Sequence, residues 1–144
     1  MLWGFFEAKM ERKPVLFNED EFAMAERFVV ELAETRAMTP VEFRHELGAL
    51  EKMRESLDFQ IRDIMANIPK PLEFADALES RRKIEELQKT AVMIDFRHAF
   101  LSFDLDPLSY KRFLGSVAGR VDERLYGFFE SVGLQNGMLG ENTA

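Results

Sequence analysis

One pattern constrains this chain more than any other. Phe43, Leu47, Leu50, Leu57, Ile61, Ile64 and Ile68 recur at intervals alternating four and three, and Arg54 holds the one seam position without an apolar residue. Apolar side chains every 3.5 residues over more than three heptads describe a helix that buries one coiled-coil-like stripe along its length. Thr39-Pro40-Val41-Glu42 opens it, with threonine as cap, proline first, glutamate third, and Met38 and Phe43 as the apolar staple. Pro69-Lys70-Pro71 closes it, because proline has no N–H to give and its ring clashes with the preceding turn. A helix is therefore expected over about 40–67, roughly 40 Å long at 1.5 Å per residue. So long a seam needs a partner of like length.

The partner follows in the chain. A helix from near Leu72 to about Phe103 carries its own seam of Ile84, Leu87, Ala91, Ile94, His98 and Leu101. A connection of a few residues makes two such helices antiparallel neighbours. The later part (Phe96, Ala99, Phe100, Leu101, Phe103) is apolar on most sides, which places it inside. Upstream, Asn18 and Glu21 form a capping box and Phe17 and Phe22 a staple, opening a helix over about 19–37. Downstream, Asp106 caps, Pro107 comes first, and Leu105 staples onto Tyr110. Tyr110, Phe113, Leu114, Val117, Val121, Leu125, Phe128, Phe129 and Val132 then read as one helix ending at Gly133.

The expected fold class is all-α: an antiparallel four-helix bundle with two long central helices, over residues 18–133. Residues 1–17 form an N-terminal arm or strap, short and irregular or β-like. Its two apolar stretches, Leu2-Trp3-Gly4-Phe5-Phe6 and Pro14-Val15-Leu16-Phe17, fit two short strands, a helical turn, or an arm laid across the bundle. Residues 134–144, small and polar, are expected to be a disordered C-terminal tail.

Composition narrows the chemistry. A chain of 144 residues suits one domain. With no cysteine, disulfides, thiolate metal sites and a cysteine nucleophile are excluded together. No Gly-rich phosphate loop, Gly-x-Ser-x-Gly elbow or His-Glu-x-x-His motif occurs, so neither an enzyme nor a cofactor is expected. No apolar run approaches the roughly 20 residues of a membrane helix. Met1-Leu2-Trp3-Gly4 does not open like a cleaved signal, and a cytoplasmic location is expected. A net charge of −7 disfavours nucleic acid as a partner. The basic residues Arg81-Arg82-Lys83 and Lys111, Arg112, Arg120 and Arg124 are diluted by Glu79, Glu85, Glu86, Asp122 and Glu123.

Four constellations remain. Glu42-Phe43-Arg44-His45 and Asp95-Phe96-Arg97-His98 each set a carboxylate and an imidazole three apart, the spacing of di-metal bundles. Because Phe43 and Leu47 take the seam, His45 points outward while His98 points in, so no shared metal site is expected. Gly115 and Gly119 lie four apart on the fourth predicted helix. They read as close packing within the chain or as a self-association face of a homodimer. Arg54 needs a carboxylate, with Glu79, Glu85 or Glu86 as expected partners. Between Asn18 and Asn67 twelve acidic residues face six basic ones, a net −6 of the total −7. The acidity is thus concentrated on the first two helices, which suits a protein partner with a basic surface. The expected function is a non-enzymatic protein-binding module, an adaptor or regulatory or assembly factor docking on a larger protein machine. Trp3, Phe5, Phe6, Glu19, Asp20, Glu26, Glu31 and Glu34 are the expected contact residues. A self-associating structural protein is the alternative, with a nucleic-acid-associated protein or a carboxylate–histidine di-metal bundle behind it.

Overall fold

The computed structural model describes residues 14–34, 39–67 and 74–139, the side chains of 33, 34 and 74–76 excepted. Five helices run through them: α1 (Glu19–Glu34), α2 (Pro40–Ala66), α3 (Phe74–Ser102), α4 (Ser109–Val117) and α5 (Glu123–Gln135). The described chain is all-α. Its one extended pairing is an isolated parallel bridge between Val15 and Val121.

Helix starts follow the local chemistry of their residues. Glu21 N–H donates to Asn18 Oδ1 and Asn18 N–H to Glu21 Oε1, each at 2.8 Å. The Phe17 and Phe22 rings meet edge to face at 6.1 Å, closing the staple. Thr39 and Glu42 form the same reciprocal box, at 2.9 and 3.2 Å, with Pro40 as first helical residue. Met38, the expected staple partner of Phe43, lies outside the described residues.

The two long helices pair antiparallel. Arg97 on α3 reaches Glu46 near the start of α2, while Met65 and Ile84 pack together toward the other end. Leu50, Leu57 and Met65 are buried, and Phe43, Leu47, Ile61 and Ile64 are half-buried, so the seam residues face inward. Arg54 pairs with Asp95 at 2.8 Å and with Asp58, not with Glu79, Glu85 or Glu86. A fold-back at residues 69–70 would set Arg54 opposite about residue 85. Asp95 lies about ten residues, nearly three helical turns, further along α3, and that displacement changes the partner.

Phe96, fully buried, is the centre of the core. Its ring lies within 6.5 Å, centroid to centroid, of Phe28, Phe100, Tyr110, Phe113, Phe128 and Phe129. Tyr110, fully buried as well, donates its hydroxyl to the Phe129 carbonyl at 2.6 Å. Burial pushes that phenol's pKa far above its ordinary value.

The fourth predicted helix is two. Ala118 (φ −58, ψ 125) and Gly119 (φ +78) are the central residues of a type II turn, closed by Arg120 N–H to Val117 C=O at 2.9 Å. Asp122 then caps α5 through the Leu125 N–H at 3.0 Å. α4 also begins later than expected, at Ser109. A turn comes first, with Ser109 N–H donating to Asp106 C=O, while the Asp106 carboxylate accepts from the Leu108 N–H. Leu105 is 68% exposed and staples nothing onto Tyr110.

Gly133 does not end α5. A Cβ there would sit 2.6 Å from the Tyr110 ring, so the glycine makes room for an aromatic inside the helix. The helix ends at Gly137 (φ +68), where Met138 N–H bonds to Gly133 C=O at 2.8 Å and Gly137 N–H to Leu134 C=O at 3.3 Å. Met138 is buried and Leu139 packs against the core, at positions where the sequence reading has a disordered tail. Residues 140–144 lie outside the described residues. At the other end the Val15 N–H donates to Arg120 C=O at 2.8 Å and the Val15 C=O accepts from the Asp122 N–H at 3.1 Å, tying the chain ahead of α1 to the α4–α5 turn.

Two glycines of α5 should respond oppositely to alanine. Gly127 is exposed with nothing near its missing Cβ, so Gly127→Ala should stabilise by about 0.5–1 kcal/mol. Gly133→Ala should destabilise by about 1–3 kcal/mol through overpacking against Tyr110. Urea denaturation of the two variants checks the opposite signs.

Candidate functional site

α1 is held by its inner face and offers its outer one. Ala25 and Leu32 are buried, and Phe28 packs on Phe96. Cations from neighbouring helices flank this contact. Lys89 of α3 reaches Glu21 at 3.0 Å. Arg124 of α5 reaches Glu19 at 2.7 Å and lies 4.0 Å over the Phe22 ring. Arg97 of α3 bonds Glu46 at 2.7 Å and lies 5.2 Å from the Phe28 centroid. The outer face then carries Asp20, Ala23, Met24, Glu26, Arg27, Val30 and Glu31, all exposed. Met24 and Val30 are 62% and 63% exposed, so two large apolar side chains stand in water among three carboxylates and one guanidinium.

The expected contact residues divide unevenly. Asp20, Glu26 and Glu31 share this outer face. Glu19 belongs to the anchor instead, where the hydrogen bond and charge of Arg124 hold its carboxyl below the usual range. Glu34 is in the last turn of α1, its side chain outside the described residues, and so are Trp3, Phe5 and Phe6. Gly115 and Gly119 do not share a helix face. Gly115 is exposed on α4 with nothing within 4 Å of an added Cβ, and Gly119 is in the turn beyond it. Neither marks a close backbone approach among the described residues.

The two acid-Phe-Arg-His segments have separated roles. In the first, Glu42 is engaged in the Thr39 cap and His45 is exposed. In the second every side chain has a packing task. Asp95 holds Arg54, Phe96 centres the core, Arg97 bridges α1 and α2, and His98 Nε2 lies 3.1 Å from Glu51 of α2. Ser102 Oγ lies 3.4 Å from His98 Nδ1. Sequence reasoning missed both: Glu51 because an α2–α3 pairing displaced by nearly three turns conceals which residues meet, and Ser102 although its place four residues after His98 on α3 is a local signal.

Glu51, His98, Ser102, Asp106 and Arg112 line a groove of about 440 Å³ between α2, α3 and α4. Serine, imidazole and carboxylate stand in a row there, but at the carboxyl end of α3. The Ala99 and Ser102 carbonyls point into hydrogen bonds from Ser109 Oγ and from the Leu105 and Asp106 N–H groups. A helix C-terminus favours positive charge, the opposite of what a developing oxyanion needs. The row reads as a helix-to-helix tie. Among the described residues no group of three or more histidine, aspartate or glutamate side chains is placed to hold a metal ion, and no helix is long and apolar enough to cross a membrane. Comparisons with protein-family models, with curated proteins and with solved structures found no match for this chain.

The anchor of α1 has a pH signature. Burial would raise the Glu21 carboxyl, but the Asn18 N–H and the Lys89 ammonium outweigh it and hold its pKa below the ordinary carboxylate value. A carboxyl with a lower pKa folded than unfolded stabilises fully above its ordinary value, and that contribution is lost as pH falls through the folded value. Glu21→Gln is expected to lower stability at neutral pH and to flatten its fall toward acid. Urea titrations at successive pH values from about 7 to 3 read both effects, and parallel curves for the two proteins would count against the pair.

Proposed function

We propose that this chain is a non-enzymatic protein-binding module, an adaptor or regulatory or assembly factor that docks on a larger protein through the outer face of α1. The observation that carries this reading is the exposed pair Met24 and Val30 set among Asp20, Glu26 and Glu31 on a helix whose inner face is already fully engaged. Acidic side chains around an apolar contact suit a partner segment with basic residues flanking its own apolar stripe. The helices serve as the scaffold, an antiparallel bundle in which α4 and α5 together take the place of a fourth helix. Trp3, Phe5, Phe6 and Glu34 extend the surface in this reading, and the working compartment is the cytoplasm.

Self-association is the second reading, and a different face favours it. Val41, Met53 and Phe59 are exposed on α2, Phe59 at 71%. A dimer through α2 predicts a mass that doubles with concentration and returns to the monomer in Phe59→Ser.

The docking test compares the wild-type chain with an Asp20→Lys/Glu26→Lys/Glu31→Lys variant in affinity capture from a native extract at low and high salt. Circular dichroism first establishes that the variant keeps its helices. A partner retained at low salt, shed at high salt and lost in the variant is the expected outcome. Equal retention by both chains would overturn the α1 face as the docking surface.

A further inference from the structure

A second opening lies between α2, α3 and the α4–α5 turn, away from the outer face of α1. It is a cavity of about 260 Å³ with an apolar floor that includes Ile61, Met65, Val92 and Val117, and with Arg54, Arg62 and Arg120 at its lining. Arg54 is the anchor. Its Nε donates to Asp95 of α3 at 2.8 Å and its Nη1 to Asp58 of α2, so two helices fix the plane of the guanidinium. Burial works against its charge, and these two carboxylates more than restore it. Nη2 has no acceptor among the described residues. Arg62 and Arg120 are exposed, and neither forms an ion pair among the described residues, in a chain with 26 acidic side chains against 19 basic ones. Asp58 and Asp95 line the same cavity, both engaged by Arg54. Three guanidinium groups thus stand against two committed carboxylates.

We propose that this cavity binds a small organic anion, its carboxylate or phosphate head on Arg54 Nη2, Arg62 and Arg120 and a short apolar part over Val92 and Val117. A guanidinium presents paired donors at the spacing of carboxylate and phosphate oxygens. A concave apolar floor with a few placed charges is the usual make-up of a small-molecule site, and this volume limits the occupant to a small one. Arg54 enters already oriented, so binding orders only the two exposed arginines. The proposal is independent of the α1 docking face.

The full chain, labelled with ¹⁵N, would be titrated with benzoate, with phenyl phosphate, and with inorganic phosphate as the head group alone. Saturable shifts of the Arg54 Nε–H and of the amides of Val92, Val117 and Arg120 are expected with at least one aromatic anion. Benzoate alone acting would assign a carboxylate, and phenyl phosphate alone a phosphate. The Arg62→Gln/Arg120→Gln double variant, which breaks no ion pair of the described chain, should bind roughly tenfold more weakly, as loss of charge-assisted hydrogen bonds implies. Three outcomes would overturn the proposal: no saturable shift with any probe, binding undiminished in the double variant, or inorganic phosphate binding as tightly as the aromatic anions.

Discussion

The described fold depends on the ring of Phe96. Six aromatic rings from α1, α3, α4 and α5 converge on it, the nearest, Phe129, at 4.9 Å. Aromatic pairs prefer edge-to-face and tilted geometries, so each ring fixes the angle of the next as well as its distance. Locking one helical residue locks its neighbours in rotation. With Phe96 turned into the core, Asp95, Arg97 and His98 have one direction each, and all three meet α2. A four-residue stretch therefore sets both the interior and the polar ties between the long helices.

Polar contacts in this molecule are concentrated around α3. Lys89, Asp95, Arg97 and His98 each reach across to another helix. Such half-buried pairs specify register more than they add stability, because desolvation offsets much of their attraction. Arg54 shows the logic. In the seam of α2 it interrupts the apolar stripe, and two carboxylates are spent on satisfying it. A methyl-bearing side chain would pack there without either, but would leave the sliding of α2 along α3 less constrained.

What the residues disclose by themselves depends on how local the physics is. Both capping boxes are three-residue relations, so Asn18 with Glu21 and Thr39 with Glu42 could be read directly. The seam of α2 is equally local, a repetition along one helix. Gly119 and Gly133 were harder, since a glycine states only that something other than a side chain is needed. One supplies a positive φ and splits a helix in two, while the other clears space for Tyr110 from inside a helix. The partner of Arg54 depends on where two helices cross, which no short stretch records. Of the candidate face, Asp20, Glu26 and Glu31 were readable from charge density alone. The engagement of Glu19 by Arg124 was not, because 105 residues separate them.

That separation bears on the order in which the chain assembles. Val15 pairs with Val121, and Glu19 with Arg124, so the chain ahead of α1 and the first turn of α1, beyond its contact with Lys89 of α3, wait on residues that follow α4. Contacts of such high sequence separation form late, because loop closure costs entropy before any contact rewards it. During synthesis Phe17 and Phe22 emerge early and wait for α5 to reach them. Until then the nascent chain presents an apolar, acid-flanked helix start with no interior of its own, and the interval lasts as long as the ribosome needs to make the intervening hundred residues.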